Sequence, residues 1–171
     1  GLLIDTESIS RPSWRKAATD FGYELTDEIF AQMLGIVLPD LKILLAKNFG
    51  EDFPFDEVRK RRIEYGEAHI AEHGIDLKEG VLEFIDYLVQ KNLKFGLATS
   101  TRKEAALKKI AMTGLSDKFQ VAVYGDEVEN GKPAPDIFLG VARGLGEDPK
   151  NCVVFEDSKA GITGALAAGM H

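Results

Sequence analysis

The sequence contains only one cysteine, Cys152, so no disulfide bond can form within the chain, and a reducing compartment fits this composition. No apolar run approaches the roughly 18 residues that a membrane span requires, and no secretory signal pattern is visible. Basic residues are outnumbered by acidic ones, 21 to 28, which gives a formal net charge of −7. We therefore expect a cytoplasmic monomer that binds neither nucleic acid nor a membrane.

The chain also lacks internal repeats and low-complexity segments. Its 171 residues suffice for one domain with a sizeable core, or for one domain that carries an insertion. It begins with Gly1 rather than methionine, and it closes at His171, where a predicted helix has ended and a strand would follow. We expect both ends to have been cut from a longer protein.

Two parts of the chain differ in their apolar spacing. From about Ile9 to His73 the spacing predicts helices only. Beyond Gly74, helices alternate with short apolar runs, which predicts strands joined by right-handed crossovers in a parallel sheet. The predicted fold class is therefore α/β: residues 1–8 and 75–171 form a core with a Rossmann-like parallel sheet, and residues 9–74 form an inserted α-helical domain.

Glycine and proline residues mark the ends of the predicted elements. Gly22, Gly35 and Gly74 lie near helix ends, where glycine commonly stops a helix. Asp56, which follows the break at Pro54, is expected to cap the next helix. The predicted helices cover residues 13–21, 27–34, 39–48, 56–73, 78–91, 103–112, 135–144 and 159–168, and the predicted strands cover 94–99, 119–124 and 151–155.

Two adjacent carboxylates, Glu156 and Asp157, directly follow the apolar run Cys152–Phe155. Ligands of open α/β sheets bind outside the carboxyl ends of the strands. Paired carboxylates there are unfavourable unless a cation lies between them, and a hard divalent ion such as Mg²⁺ is the natural candidate. The alternative is that Asp157 or Ser158 only caps the helix that follows.

Hydroxyl groups follow another predicted strand, at Thr99 and Ser100. The next helix is expected to offer unpaired N–H groups beside them, and this combination can bind an anion. The alternative is that Ser100 or Thr101 caps that helix.

A lysine follows the third predicted strand. Lys132 lies between Gly131 and Pro133, in a loop that cannot be a regular helix. It can provide a fixed positive charge for a phosphate, or it can be an ordinary solvated lysine. Together with Thr99 and Glu156, it describes a site that binds a phosphoryl group and a cation at one edge of the sheet.

These residues resemble the motifs of the haloacid dehalogenase superfamily, in the branch that contains β-phosphoglucomutase and many sugar-phosphate phosphatases. Leu97–Ser100 resembles the second motif, Gly131–Phe138 the third and Val154–Gly161 the fourth. Gly1–Glu7 resembles the tail of the first motif, Asp-x-Asp-Gly-x-x-x-Asp-Thr/Ser. The helical stretch from about Ser8 to Gly74 resembles the helical cap of that family.

The resemblance implies a Mg²⁺-dependent phosphatase that hydrolyses a small phosphorylated metabolite, such as a sugar phosphate, through an aspartyl-phosphate. It implies that Asp157 binds Mg²⁺, with Glu156 a ligand directly or through water. Thr99 and the Ser100 backbone would bind the phosphoryl group, and Lys132 would neutralise its charge. Thr99 and Lys132 are thus the implied catalytic residues of the chain.

The chain departs from the family pattern in its first motif. Both catalytic aspartates of that motif would precede Gly1. In this family the first motif lies on the middle strand of the sheet, so we expect a gap one strand wide between the strands that end at Thr99 and Glu156. An inactive fragment is therefore one alternative function.

A second departure concerns phosphosugar mutases, the other alternative. That branch has a histidine at the position of Ser10 and an arginine shortly after the glycine that aligns with Gly35, but here Ile36–Pro39 follow. Their absence favours a phosphatase.

Two features of the helical half are expected to be structural. Trp14 is expected to pack in a core. The basic run Arg59–Arg62 is expected to be a solvated helix face, because Asp56, Glu57 and Glu64 flank it.

Overall fold

The computed structural model describes residues 1–34, 36 and 38–171. Gly35 and Val37 lie outside the described residues, and with them the predicted helix end at Gly35 and part of the segment compared with the mutases. None of the helices in the described ranges is both long and apolar enough to cross a membrane.

The described residues fold into two compact units. One, the α/β unit, comprises Gly1–Ile4 and Ile75–His171, and the other, the helical unit, comprises Asp5–Gly74. In the α/β unit helices alternate along the chain with the strands of a parallel sheet, so the predicted α/β fold is confirmed.

Helices make up the helical unit, and Thr26 shows how one of them starts. The Thr26 hydroxyl accepts a hydrogen bond from the Ile29 N–H, at 3.4 Å. Asp27 and Glu28 follow in the first turn, where negative charge is favourable. The helices are α1 (Glu7–Asp20), α2 (Asp27–Met33), α3 (Leu38–Phe49) and α4 (Phe55–His73).

The helical unit has an apolar core of its own. Leu45 and Val58 are fully buried, and the Tyr23 and Phe53 rings meet edge to face with their centroids 4.9 Å apart. Trp14 is buried in this core, so its predicted packing role is confirmed. The other buried members are Ala17, Ala18, Leu25, Phe30, Met33, Leu41, Phe53 and Phe55.

Two parallel strands organise the α/β unit. In the register of the sheet Gly96 lies opposite Val121 and Thr99 opposite Tyr124, so both strands end at the same edge. Helix α7 packs against both strands and buries Ile137. The elements are α5 (Val81–Gln90), β1 (Gly96–Thr99), α6 (Lys103–Thr113), β2 (Val121–Tyr124), α7 (Asp136–Leu145), a 3₁₀ turn (Pro149–Asn151) and α8 (Lys159–Ala167).

Within the described residues the structure assigns no strand at the predicted 151–155. Cys152 is extended, but among the described residues the backbone of 152–155 bonds to His171 rather than to a neighbouring strand: the Val154 N–H donates to His171 O at 2.7 Å, and the His171 N–H donates to Cys152 O at 3.0 Å. These two bonds have the pattern of a single parallel bridge between Val153 and His171. Cys152 and Val154 pack against the apolar core around Ile137, whereas Val153 and Phe155 are 66% and 59% exposed. The further strand that we expect between β1 and residues 152–155 stays a prediction.

The predicted cap at Asp56 is also wrong. The Val58 N–H donates to Pro54 O at 3.0 Å, so the α-helical hydrogen bonds already begin at Pro54 and α4 starts at Phe55. Asp56 instead lies in the first turn of α4, where its charge interacts favourably with the helix dipole.

Candidate active site

Lys132 connects two of the predicted site segments. Its Nζ atom lies 2.6 Å from Glu156 Oε2 and 3.5 Å from the carbonyl oxygen of Ala98, the residue before Thr99. The loop after β2 therefore contacts both the end of β1 and the Glu156 carboxylate of the fourth motif. The structure places Lys132 beside Glu156 and the end of the strand that carries Thr99.

The Lys132–Glu156 pair is shielded from solvent. The two side chains are only 11% and 12% exposed, and Lys132 Nζ lies 4.9 Å from the centroid of the buried Phe138 ring. Because both side chains are shielded, the alternative of a solvated loop lysine is wrong, and the ion pair holds the Lys132 ammonium group in a fixed position.

Glu156 is held by the start of α8 as well as by Lys132. Its Oε1 atom accepts hydrogen bonds from the Ser158 hydroxyl at 2.7 Å and from the Ser158 N–H at 3.1 Å. A Cβ atom on Gly161 would overlap the Glu156 carboxyl group, so glycine is required there. Burial acts to raise the pKa of Glu156, but the hydrogen bonds from Lys132 and Ser158 outweigh it and hold the pKa below its usual range.

Asp157 is not engaged by the helix that follows it. Ser158 is the cap of α8, because its hydroxyl accepts from the Gly161 N–H at 3.0 Å. The Asp157 side chain is 53% exposed, and its Oδ2 atom lies 3.9 Å from the backbone nitrogen of Gly1. The first-motif segment at Gly1 therefore lies beside the carboxylate predicted to bind a cation.

The turn after β1 fixes the Thr99 hydroxyl oxygen. The Thr101 N–H donates to Thr99 Oγ1 at 3.2 Å, and the Gly125 N–H donates to Thr101 O at 3.1 Å. Because Ser100 O lies close to Gly125, a Cβ atom at that position would clash with it. Within the described part of the chain the Thr99 hydroxyl donates to no acceptor, so its proton is available for a ligand.

Asp126, a residue that the sequence analysis did not identify, binds the start of α6. The Lys103 N–H donates to Asp126 Oδ1 at 2.8 Å, so the expectation that this helix offers an unpaired N–H is wrong at Lys103. Capping of α6 by Ser100 or Thr101 is also wrong, since Arg102 is the cap residue and makes no side-chain cap bond. The parallel register of β1 and β2 brings Asp126 to α6. The sequence signal for this contact was the acidic pair Asp126–Glu127, one residue after the predicted strand 119–124.

The carboxylates at this edge of the sheet suit a magnesium site that water and phosphate oxygens complete. Across residues 1–34, 36 and 38–171, no cluster of three or more His, Cys, Asp or Glu side chains could hold a metal ion. Both Glu156 oxygens are engaged by Lys132 and Ser158, whereas the Asp157 carboxylate is exposed. Mg²⁺ commonly takes one or two carboxylates and completes its shell with water and substrate phosphate oxygens. The residues present fit such a site, with Asp157 as the protein ligand that this chain can offer directly.

Comparisons with known proteins match the whole chain to one family. The family model for haloacid dehalogenase-like hydrolases matches residues 1–171. A phosphorylated carbohydrates phosphatase from Thermotoga maritima is 34% identical, with 100% of this chain and 79% of that protein covered. A fructose-1-phosphate phosphatase of Escherichia coli is 29% identical, with 99% and 89% covered. A crystal structure of β-phosphoglucomutase from Clostridium difficile superposes with a TM-score of 0.74 at 28% identity, covering 99% of this chain and 78% of that one.

Proposed function

Because the chain belongs to the family of haloacid dehalogenase-like hydrolases, we propose that it is a Mg²⁺-dependent phosphatase that hydrolyses a small sugar phosphate through an aspartyl-phosphate intermediate. Relatives named as phosphatases of phosphorylated carbohydrates support the reaction class. The observation that carries the proposal is the shielded Lys132–Glu156 pair beside the end of β1.

Lys132 and Thr99 are the proposed phosphoryl-binding residues, together with the Ser100 N–H. A fixed ammonium group in a poorly solvated site stabilises the charge of a phosphoryl group more strongly than it would in water. The Thr99 hydroxyl, whose oxygen is held by the Thr101 N–H, can donate its proton to a phosphoryl oxygen. Glu156 holds Lys132 in position, so we assign it a positioning role.

Asp157 is the proposed direct ligand of Mg²⁺, and Glu156 would contribute through water. The ion, when bound, neutralises charge on the phosphoryl group and on the attacking carboxylate. We place that carboxylate in residues that precede Gly1, and the position of the Gly1 backbone beside Asp157 supports this assignment.

The two units receive different roles in this proposal. The α/β unit carries the chemistry, and the helical unit serves as the cap that selects the substrate. A phosphosugar mutase is the second candidate, supported by the similarity to β-phosphoglucomutase. Product analysis by NMR separates the two, because a mutase moves the phosphate within the sugar whereas a phosphatase releases it.

The test uses the full-length protein with the residues that precede Gly1. We expect it to release phosphate from p-nitrophenyl phosphate and from sugar phosphates with Mg²⁺ present, and to lose this activity in EDTA. Asp157→Ala should abolish hydrolysis, whereas Asp117→Ala, which removes an exposed carboxylate elsewhere in the same unit, should retain it. Hydrolysis that survives EDTA would contradict the proposal.

A further inference from the structure

Arginine side chains of the helical unit commonly pair with carboxylates, and Arg62 departs from this pattern. Arg15 lies 2.6 Å from Asp27, and Arg61 lies 3.6 Å from Asp20. Arg62 has no carboxylate partner among the residues that the structure describes. It is also half-buried, so the predicted solvated helix face is wrong at this residue.

The Arg62 guanidinium is held in place by a hydroxyl and a ring. Its Nη2 atom donates to Ser10 Oγ at 2.8 Å, and its Cζ atom lies 5.6 Å from the Trp14 ring centroid. Its Nε atom is buried and makes no hydrogen bond within the described residues. A buried donor without a partner is costly, so the environment of this guanidinium is not satisfied by the described residues alone.

A second arginine adds to the positive charge. Arg59 lies one helical turn before Arg62 on α4, is half-buried, and likewise has no carboxylate partner in the described part of the chain. Burial lowers the pKa of Arg62, and the charge of Arg59 lowers it further. Two adjacent arginines without an acid are unfavourable unless an anion offsets their charge.

We propose that Arg59, Arg62 and Ser10 form a binding site for an oxyanion, a phosphate or a carboxylate group of a small molecule, within the helical unit. The Ser10 hydroxyl, which accepts from Arg62 Nη2, retains its own proton for a second hydrogen bond, and the terminal guanidinium nitrogens carry further N–H donors. Guanidinium groups match the planar and tetrahedral oxyanions of carboxylates and phosphates. The site lies in a different unit from the proposed phosphoryl site and does not depend on it.

Trp14 provides a local reporter for this site. It is the single tryptophan of the chain and lies 5.6 Å from Arg62 Cζ. Inorganic phosphate and acetate are titrated separately, with sodium chloride at matched ionic strength to remove the effect of screening. We expect a saturable change in Trp14 emission with at least one of the two oxyanions and none with chloride.

Variants then assign the response to Arg62. Arg62→Gln should weaken the apparent affinity about tenfold or more, since a charge-assisted hydrogen bond is lost. Ser10→Ala, which keeps the guanidinium, should also weaken it, and Arg61→Gln, the matched control, should bind like the wild type. Circular dichroism confirms that each variant is folded.

The Lys132→Gln variant tests whether the Trp14 response is independent of the proposed phosphoryl site. The Trp14 response should persist in this variant even if the phosphatase proposal fails. Three results would overturn the inference: no saturable response in the wild type, an unchanged affinity in both Arg62→Gln and Ser10→Ala, or a response that disappears in Lys132→Gln.

Discussion

Two lysine–glutamate pairs of the α/β unit have the same geometry and different surroundings. Lys132–Glu156 and Lys103–Glu127 both have an Nζ to carboxylate oxygen distance of 2.6 Å. The side chains of the first pair are 11% and 12% exposed, and those of the second are 52% and 35% exposed. The comparison shows that an ion-pair distance alone does not identify a site, because exclusion of solvent decides how strongly a fixed charge acts.

The exposed pair has a structural explanation. Glu127 accepts from the Tyr124 N–H at 3.2 Å, so it ties the loop after β2 to α6 through Lys103. The hydrogen bond between them raises the pKa of Lys103 and lowers that of Glu127. The shielded pair instead leaves its lysine beside the end of β1, where the proposed substrate phosphate binds.

The largest effect on stability is expected from Lys132→Ala. Removal of the lysine leaves the Glu156 carboxylate shielded and without its cation, which should reduce the free energy of unfolding by about 3 kcal/mol. Urea denaturation measures the change. Lys103→Ala is the matched control and should have a much smaller effect, because water screens that pair. Equal losses of unfolding free energy in Lys132→Ala and Lys103→Ala would contradict the distinction between the shielded pair and the exposed pair.

A smaller effect is expected from Ser158→Ala. This variant removes the cap of α8 and one hydrogen bond to Glu156, so we expect a loss of about 1 kcal/mol in urea denaturation. Ser116→Ala, which removes an exposed hydroxyl in the same unit, should leave stability unchanged. An unchanged stability in Ser158→Ala would mean that Glu156 does not need this support.

The smallest expected effect is a change in the pH dependence of stability in Glu156→Gln, which lacks the contribution of the ionised pair at neutral pH. Because the folded protein holds the pKa of Glu156 below its usual range, the ionised pair stabilises the fold above that range and loses this contribution as the pH falls through the lowered pKa. In thermal unfolding from about pH 6 to about pH 3, the variant should lose less stability than the wild type, since the usual pKa of glutamate is about 4.3. Glu127→Gln should change the profile less, and the reverse order would contradict the comparison.

Several features could be predicted from local sequence. The helices of both units follow from their apolar spacing, although α1 begins at Glu7 rather than Ser13. The end of β1 and the loop after β2 do meet, since Lys132 Nζ lies 3.5 Å from Ala98 O and parallel strands in register end at one edge. This is why Lys132 could be placed near the end of β1 without a structure.

Other features depend on contacts between residues far apart in sequence. Asp126 accepts the Lys103 N–H at the start of α6 only because the register of the sheet places the two loops side by side, and no pattern within either segment encodes that pairing. Arg62 looked like one of four solvated basic residues, and only its burial and its bond to Ser10 set it apart. The apolar run predicted as a strand at 151–155 bonds in the described residues only to His171, and such a run does not specify its hydrogen-bonding partner.

In the proposed function the shielded lysine, and not the exposed one, acts on the phosphoryl group. The most direct measurement is kcat/KM of the full-length protein for p-nitrophenyl phosphate in Mg²⁺, with Lys132→Gln and Lys103→Gln compared. We expect a loss of about 10²–10³-fold in Lys132→Gln, as for removal of one preorganised group that stabilises transition-state charge, and near wild-type activity in Lys103→Gln. A folded Lys132→Gln variant with unchanged kcat/KM would contradict this role of Lys132.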